Sequence, residues 1–499
     1  MLPPRLTTIL LVLLACGPAA AALTAQKLDA GPGTLRAFRV RDLTGDGIPD
    51  LAAFLDDPDG LAVRIWCAGT DGTFGETPDV TVRTAEHGLA DVFYVFLAAL
   101  EKDRPAAVIA VDEKKGVVGF TVVFAEEKWA VRGPEPIVAA PPLPFHAEPG
   151  RMAVLDSAKD LDGDGDEELL LVTADGYRIV DRRPSEDGAF VIASRNLATG
   201  SNHTITVDEH RLFTLHWEIP RLHVARYDGD EIPDILATRG TGFMLFLQRK
   251  DGTFQVEKPR VDALAPGPKR VSTFTPGDVD GDGRVDLLVT RTDPSVNVMG
   301  EFRSSHLLYR NPHIFEPRSP GRLSTPVSVV RSGGRSLPPA LFDFEGDGDL
   351  DLLVSSLDID LGSLIRKDVS AEYRLYLFDA KKKRFEASPH FDTTRPYPWD
   401  RMARGETPRV CFFAGDFDGD GNRDLLDIAD DGSLTILAGG RIDRLFTAEY
   451  GFEERDGQPL FSAKVGVDDD LLIRDINGDG ATDLVARRGA VIYVIRSGP

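Results

Sequence analysis

The stretch DVDGDGRVDLLV, residues 278–289, sets Asp278, Asp280, Asp282 and Asp286 within nine residues, with Gly281 and Gly283 between them. Like charges at this density repel one another, and a compact loop built from them calls for a cation. Oxygens at positions 1, 3 and 5, a backbone carbonyl at 7 and a carboxylate at 9 can wrap one hard ion, while the glycines supply the sharp turns. A flexible, all-oxygen set favours calcium over magnesium, which demands a stricter octahedron, and over zinc, which prefers nitrogen or sulfur. The run LLV that follows is short and apolar, as a buried strand would be.

The stretch recurs. DLTGDGIPDL begins at Asp42, DLDGDGDEEL at Asp160, DFEGDGDLDL at Asp343, DFDGDGNRDL at Asp416 and DINGDGATDL at Asp475. A worn copy, RYDGDEIPDI, begins at Arg226, with Arg226 at the first ligand position and Glu231 at the second glycine, and no ion is expected there. One acidic loop reads equally as a solvated turn. Six near-intact copies, each leading into an apolar strand rather than a helix, read as an internal repeat that binds metal.

Around each loop the pattern is β. LAAFL from Leu51, LLLVT from Leu169, LLVSS from Leu352 and LVAR from Leu484 follow loops. LRAFRV from Leu35, MAVLD from Met152, VSTFT from Val271 and RVCFF from Arg409 precede them. A third apolar run comes next, then an aromatic after a turn: Phe74, Phe190, Phe254, Phe315, Phe385 and Phe446. Between Asp42 and Asp160, AAVIAV from Ala106, VVGFTVVF from Val117 and then Trp129 repeat the pattern without a loop. The count is eight units of about 60 residues with four short strands each, the signature of propeller blades. The fold is therefore expected to be all-β: a single propeller of eight four-stranded blades, with seven as the alternative. The last loop leaves room for only two further strands, so residues 23–30 are expected to complete the final blade.

The chain carries 57 Lys and Arg against 80 Asp and Glu, a net charge of −23. Much of this acidity lies in the loops, and with no basic stripe it argues against a nucleic-acid partner. Residues 1–22 read as a secretory signal peptide: Arg5, an apolar run from Leu6 to Ala15 too short to span a bilayer, then small residues. Leu13-Leu14-Ala15-Cys16 also reads as a lipobox, with a lipid anchor on Cys16 as the one route to a membrane. The propeller then occupies residues 23–499. No later segment reaches the ~18–20 apolar residues of a membrane helix. Beyond Cys16 only Cys67 and Cys411 remain, too few for a disulfide scaffold, and both are expected as free buried thiols.

The D-x-D-G-D-G-x-x-D-L loops, the DGTF turns and HLLYRNPHIF at residues 306–315 resemble the FG-GAP/VCBS repeats of integrin-α-like propellers, with ASPIC-like features in the last of these. The resemblance implies about six Ca2+ ions. Their ligands would be Asp42, Thr44, Asp46, Ile48 and Asp50; Asp160, Asp162, Asp164, Asp166 and Glu168; Asp278, Asp280, Asp282, Arg284 and Asp286. The remaining sets would be Asp343, Glu345, Asp347, Asp349 and Asp351; Asp416, Asp418, Asp420, Asn422 and Asp424; and Asp475, Asn477, Asp479, Ala481 and Asp483. The seventh-position residue of each set would serve through its carbonyl. Family members include adhesion proteins, lectins and lyases, so the resemblance leaves the activity open.

Residues 390–404 are unusually aromatic and basic. Phe391, Arg395, Tyr397, Trp399 and Arg401 are expected on a long loop, where they would contact a ligand or pack on the blade. Residues 361–372 are expected to form a short helix. His203, His210, His216 and His223 fall close together at spacings that match no metal motif. No G-x-S-x-G, H-E-x-x-H, phosphate loop or C-x-x-C is present. The sequence thus favours a secreted or surface-tethered calcium-binding module for a protein or glycan. A polysaccharide-active, lyase-like enzyme and a structural envelope protein are the alternatives.

Overall fold

The structure is a computed structural model. It describes residues 23–497 apart from 58–59, 140–142, 144–152, 185–189, 198, 200–201, 208–212, 219, 228–229, 231, 240–241, 251, 257–270, 294–302, 312, 317–318, 359–367, 401–411, 430–432, 445–446, 454–457 and 465–470. Residues 1–22, read as a signal peptide and containing Cys16, lie outside the described residues, as do Arg401, Phe446, His210 and Cys411; Cys67 is a free, buried thiol. No helix among the described residues is long and apolar enough to cross a membrane.

Eight antiparallel four-stranded blades form a β-propeller. The first blade runs Thr34–Arg41, Asp50–Asp57, Gly60–Trp66 and Val80–Arg83. The fifth runs Val271–Gly277, Asp286–Asp293, Arg303–Tyr309 and Ser328–Gly333. First strands of neighbouring blades lie side by side, as Val92–Ala98 does with Ala158–Lys159, which places them nearest the axis. Second strands are covered on both faces by adjacent blades, and Asp50–Asp57 is buried along its first six residues. That two-sided burial is why the runs after the loops are continuously apolar instead of alternating. The outer strand Ser328–Gly333 alternates buried and exposed. Across blade five, buried His306 bridges the hydroxyls of Thr290 and Ser332.

The ring closes as expected. Thr24–Asp29 pairs antiparallel with Val491–Arg496, in the register Leu28 to Ile492, as the outer strand of blade eight. Leu28 is fully buried with Leu51, Trp66 and Val494, so residues from the start and end of the chain share one core.

Several local expectations change. The landmark aromatic stands at the opening of the outer strand in blades two, three and four, at Trp129, Phe190 and Phe254. In blades one, five and six it anchors a turn ahead of that strand. Phe74 is buried before Val80–Arg83, and Phe315 and Phe385 sit in small hairpins before Ser328–Gly333 and Phe391–Pro398. Ala153–Val154 pairs in parallel with blade two, and Ala158–Lys159 is the first strand of blade three. Of the expected helix, residues 368–372 are strand, within Asp368–Tyr376, and 361–367 lie outside the described residues.

Leu28→Ala should cost about 3 kcal/mol, because a fully buried leucine is lost where the ring is sealed. Chemical denaturation of the purified variant measures it; a loss below about 1 kcal/mol would show that the closing strand does little.

Candidate metal centres

Each acidic loop joins the first strand of its blade to the second, so the loops share one face of the propeller. Within them the first aspartate turns the chain by accepting backbone N–H groups. Asp278 Oδ2 accepts from Gly283 at 2.8 Å, and Asp416 Oδ2 from Gly421 at 2.7 Å. The carboxylate at position 5 accepts the N–H of position 7. Asp46 does so from Ile48, Asp164 from Asp166, Asp282 from Arg284, Asp347 from Asp349, Asp420 from Asn422 and Asp479 from Ala481. Gly281 and Gly283 adopt φ of +64° and +81°, which L side chains rarely tolerate.

The ninth-position carboxylate is different. It is the first residue of the second strand, it is buried, and it ties two distant backbone segments together. Asp424 accepts the N–H of Phe417 at 2.6 Å, at the loop's start, and of Gly439 at 2.8 Å, on the third strand. Asp50 does the same with Leu43 and Ala68, Asp286 with Val279 and Asn311, Asp351 with Phe344 and Phe378, and Asp483 with Ile476 and Ser497. Asp234 of the worn loop keeps both bonds, to Tyr227 and Gln248, each at 2.9 Å. The clamp therefore exists where Arg226 replaces the first ligand. Sequence reasoning counted this residue as a ligand and missed its backbone role, although its retention in the worn copy was the signal.

Burial raises these carboxyls, their backbone donors only partly opposing it. Asp50 and Asp483 are pushed up to about 6, Asp286, Asp351 and Asp424 to about 7, and Glu168 to about 8.

The residues fit a metal ion unevenly. Asp160, Asp162 and Glu168, then Asp278, Asp280 and Asp282, then Asp416, Asp418 and Asp424 each bring three carboxylate oxygens within 4.8 Å of one another. These clusters can hold a metal ion. In the first loop the buried Thr44 hydroxyl has no hydrogen-bond partner, and an ion would supply one. Glu345 is exposed, and its carboxyl is raised by partial burial and by Asp347 beside it. In the Asp278 loop a residue the sequence did not flag intrudes: Arg310 forms an ion pair with Asp280.

Neighbouring loops are stapled together. Leu350 donates its N–H to Val279 O at 2.8 Å, Thr482 to Asp416 O at 2.6 Å, and Glu167 to Ala99 O of loop-less blade two at 2.8 Å. Gly72 of blade one packs against Asn477 of the blade-eight loop.

The remaining candidates disperse. Phe391–Pro398 is the outer strand of blade six and not a loop. Tyr397 is buried, Phe391 and Trp399 pack on the core, and Arg395 pairs with Asp427 of the next blade. His203 and His216 lie on one hairpin, while His223, on Arg221–Ala225, contacts Thr238 at 3.2 Å. His223 also lines a cavity of about 650 Å3 among the first strands of blades three to five. Leu170, Val172 and Val224 are among its walls, with Lys159 and exposed Arg221 also lining it.

Asp234→Ala should cost about 2–4 kcal/mol by orphaning two buried N–H donors, equally with and without added divalent ion. Denaturation in both conditions measures it, and a loss seen only with metal would contradict the clamp. The raised carboxyls stabilise the metal-free fold below about pH 4, where they are protonated in both states, and that contribution is lost as pH rises through 6 to 8. In chelator the melting temperature should therefore fall between pH 5 and pH 8; a flat or rising profile would exclude this.

Residues 226–289 match the family model described as an FG-GAP-like repeat, from the worn loop through the second strand of blade five. No curated protein matches the chain. Among solved structures it is similar to an Agrocybe aegerita lectin described for specific recognition of non-reducing terminal N-acetylglucosamine. That match has 15% identity over 77% of this chain and 91% of the lectin, with a TM-score of 0.39. It is also similar to the Dos1 propeller, at 9% identity over 94% of each chain, TM-score 0.40. A third is the Bacillus licheniformis rhamnogalacturonan lyase PL11, at 11% identity over 91% of this chain and 66% of the lyase, TM-score 0.26. The chain is thus a β-propeller of eight four-stranded blades, one stretch of which, residues 226–289, matches an FG-GAP-like repeat.

Proposed function

We propose that the chain is a calcium-stabilised propeller, exported from the cytoplasm, that binds a protein or glycan ligand at the axis. The observation that carries the binding role is the cavity of about 650 Å3 where three blades converge. A concave site with apolar walls and a few polar groups is the usual form of a ligand pocket. Arg221 is exposed, and Lys159 is held by Asp156 at 2.7 Å, so Arg221 is the charge available to a ligand's acidic group.

Calcium is the ion of choice because the donors are carboxylate, amide, hydroxyl and carbonyl oxygens, with no imidazole or thiolate among them. Its role is structural: metal bound only by the folded loops adds its binding energy to folding. Export rests on the leader-like residues 1–22, and extracytoplasmic calcium is plentiful enough to fill loops of moderate affinity.

Asp416→Ala combined with Asp420→Ala should lower the melting temperature by more in calcium than in chelator, where only their backbone hydrogen bonds are lost; an equal change in both would remove that loop from the set. For the ligand, glycan-array binding by the wild type should weaken about tenfold or more in Arg221→Glu, a change of about 1.4 kcal/mol. Equal binding by the variant would move the site away from the cavity, and turnover of uronic-acid polymers would replace the binding role with an enzymatic one.

A further inference from the structure

Arg310 follows the third strand of blade five and stands one residue ahead of Asn311, the second backbone donor to Asp286. The same place is Cys67, Leu247, Leu377 and Ala438 in blades one, four, six and seven, each directly before a donor to the ninth-position carboxylate. None of these four carries a charge. Blade eight has Arg496 there, but it donates to the Asp71 carbonyl of blade one at 3.2 Å. Among the blades whose second donor is described, only blade five thus sends a guanidinium into its own acidic loop.

There Arg310 Nη2 pairs with Asp280 Oδ2 and stands 3.9 Å from Asp282 Oδ2. Both partners are well covered, with side-chain exposures of 14% for Arg310 and 8% for Asp280. Asp349, buried on the adjoining loop of blade six, also interacts with Arg310. A divalent ion bound among Asp278, Asp280 and Asp282 would sit against this guanidinium, and two cations so close in a poorly solvated cluster repel strongly. The guanidinium is tethered to the same blade, so its effective concentration exceeds that of a free ion.

We propose that Arg310 is the resident cation of the Asp278 loop: it neutralises the cluster in place of a divalent ion and ties blade five to the Asp349 side of blade six. A loop with an intact sequence motif is then held without metal. This inference rests on the other loops binding calcium, and the test separates the two.

Native mass spectrometry of the mature chain, with calcium as the sole added metal, counts bound ions. Arg310→Gln should bind one ion more than the wild type. Asp278→Ala with Asp282→Ala should leave the wild-type count unchanged, whereas Asp416→Ala with Asp420→Ala should lower it by one. Equal counts in the wild type and Arg310→Gln, or an ion lost with the Asp278 and Asp282 pair, would overturn the proposal. Either arm decides if the other variant does not fold. No loss with the Asp416 and Asp420 pair sinks calcium at that loop and leaves the Arg310 arms to be read alone. No calcium on either the wild type or Arg310→Gln sinks both readings.

Discussion

A buried carboxylate at the start of the second strand holds each described loop-bearing blade in shape. Its oxygens pull the beginning of the acidic loop toward the strand, and in six blades they also capture the end of the third strand. The loop's start and the end of the third strand, which do not pair with each other, are thereby fixed to the same strand. Because such a group is costly to bury and costly to remove, it leaves the loop few alternatives. In three of the loops the acidic side chains carried on this frame come within 4.8 Å of one another.

The worn loop separates the two roles. With Arg226 at the first ligand position, the loop still ends in Asp234 and still makes both backbone bonds. The backbone clamp thus does not depend on an aspartate at the first position. Blade five shows another solution, in which a side chain of the protein enters the cluster. Blade two dispenses with the acidic loop, yet Ala99 and Ala106 still exchange backbone bonds with the loops on either side.

The loops were legible because all their information lies within ten residues and repeats. The second strands were legible because burial on both faces makes them continuously apolar. The outer strands were less so. Phe315 and Phe385 mark hairpins inserted before the true edge strand, and an aromatic that anchors a turn looks the same in sequence as one that opens a strand. The aromatic, basic segment of blade six read as a binding loop because its composition suits one. It is a strand and not a loop, with Tyr397 buried in the core of blade six, a context that residues 390–404 do not contain. Arg310 was invisible for a similar reason: it reaches the Asp278 loop from beyond two intervening strands.

Sealing blade eight with Thr24–Asp29 has a consequence for biogenesis. The first strand of the ring to be made pairs with the last, so its edge stays bare until Val491–Arg496 is available. Blades one to seven can form in order, each resting on its predecessor, but the circle locks only when that last strand folds. A nascent chain stalled or clipped before Val491 would present an open sheet edge at each end of the arc. The fold thereby distinguishes closed rings from interrupted ones.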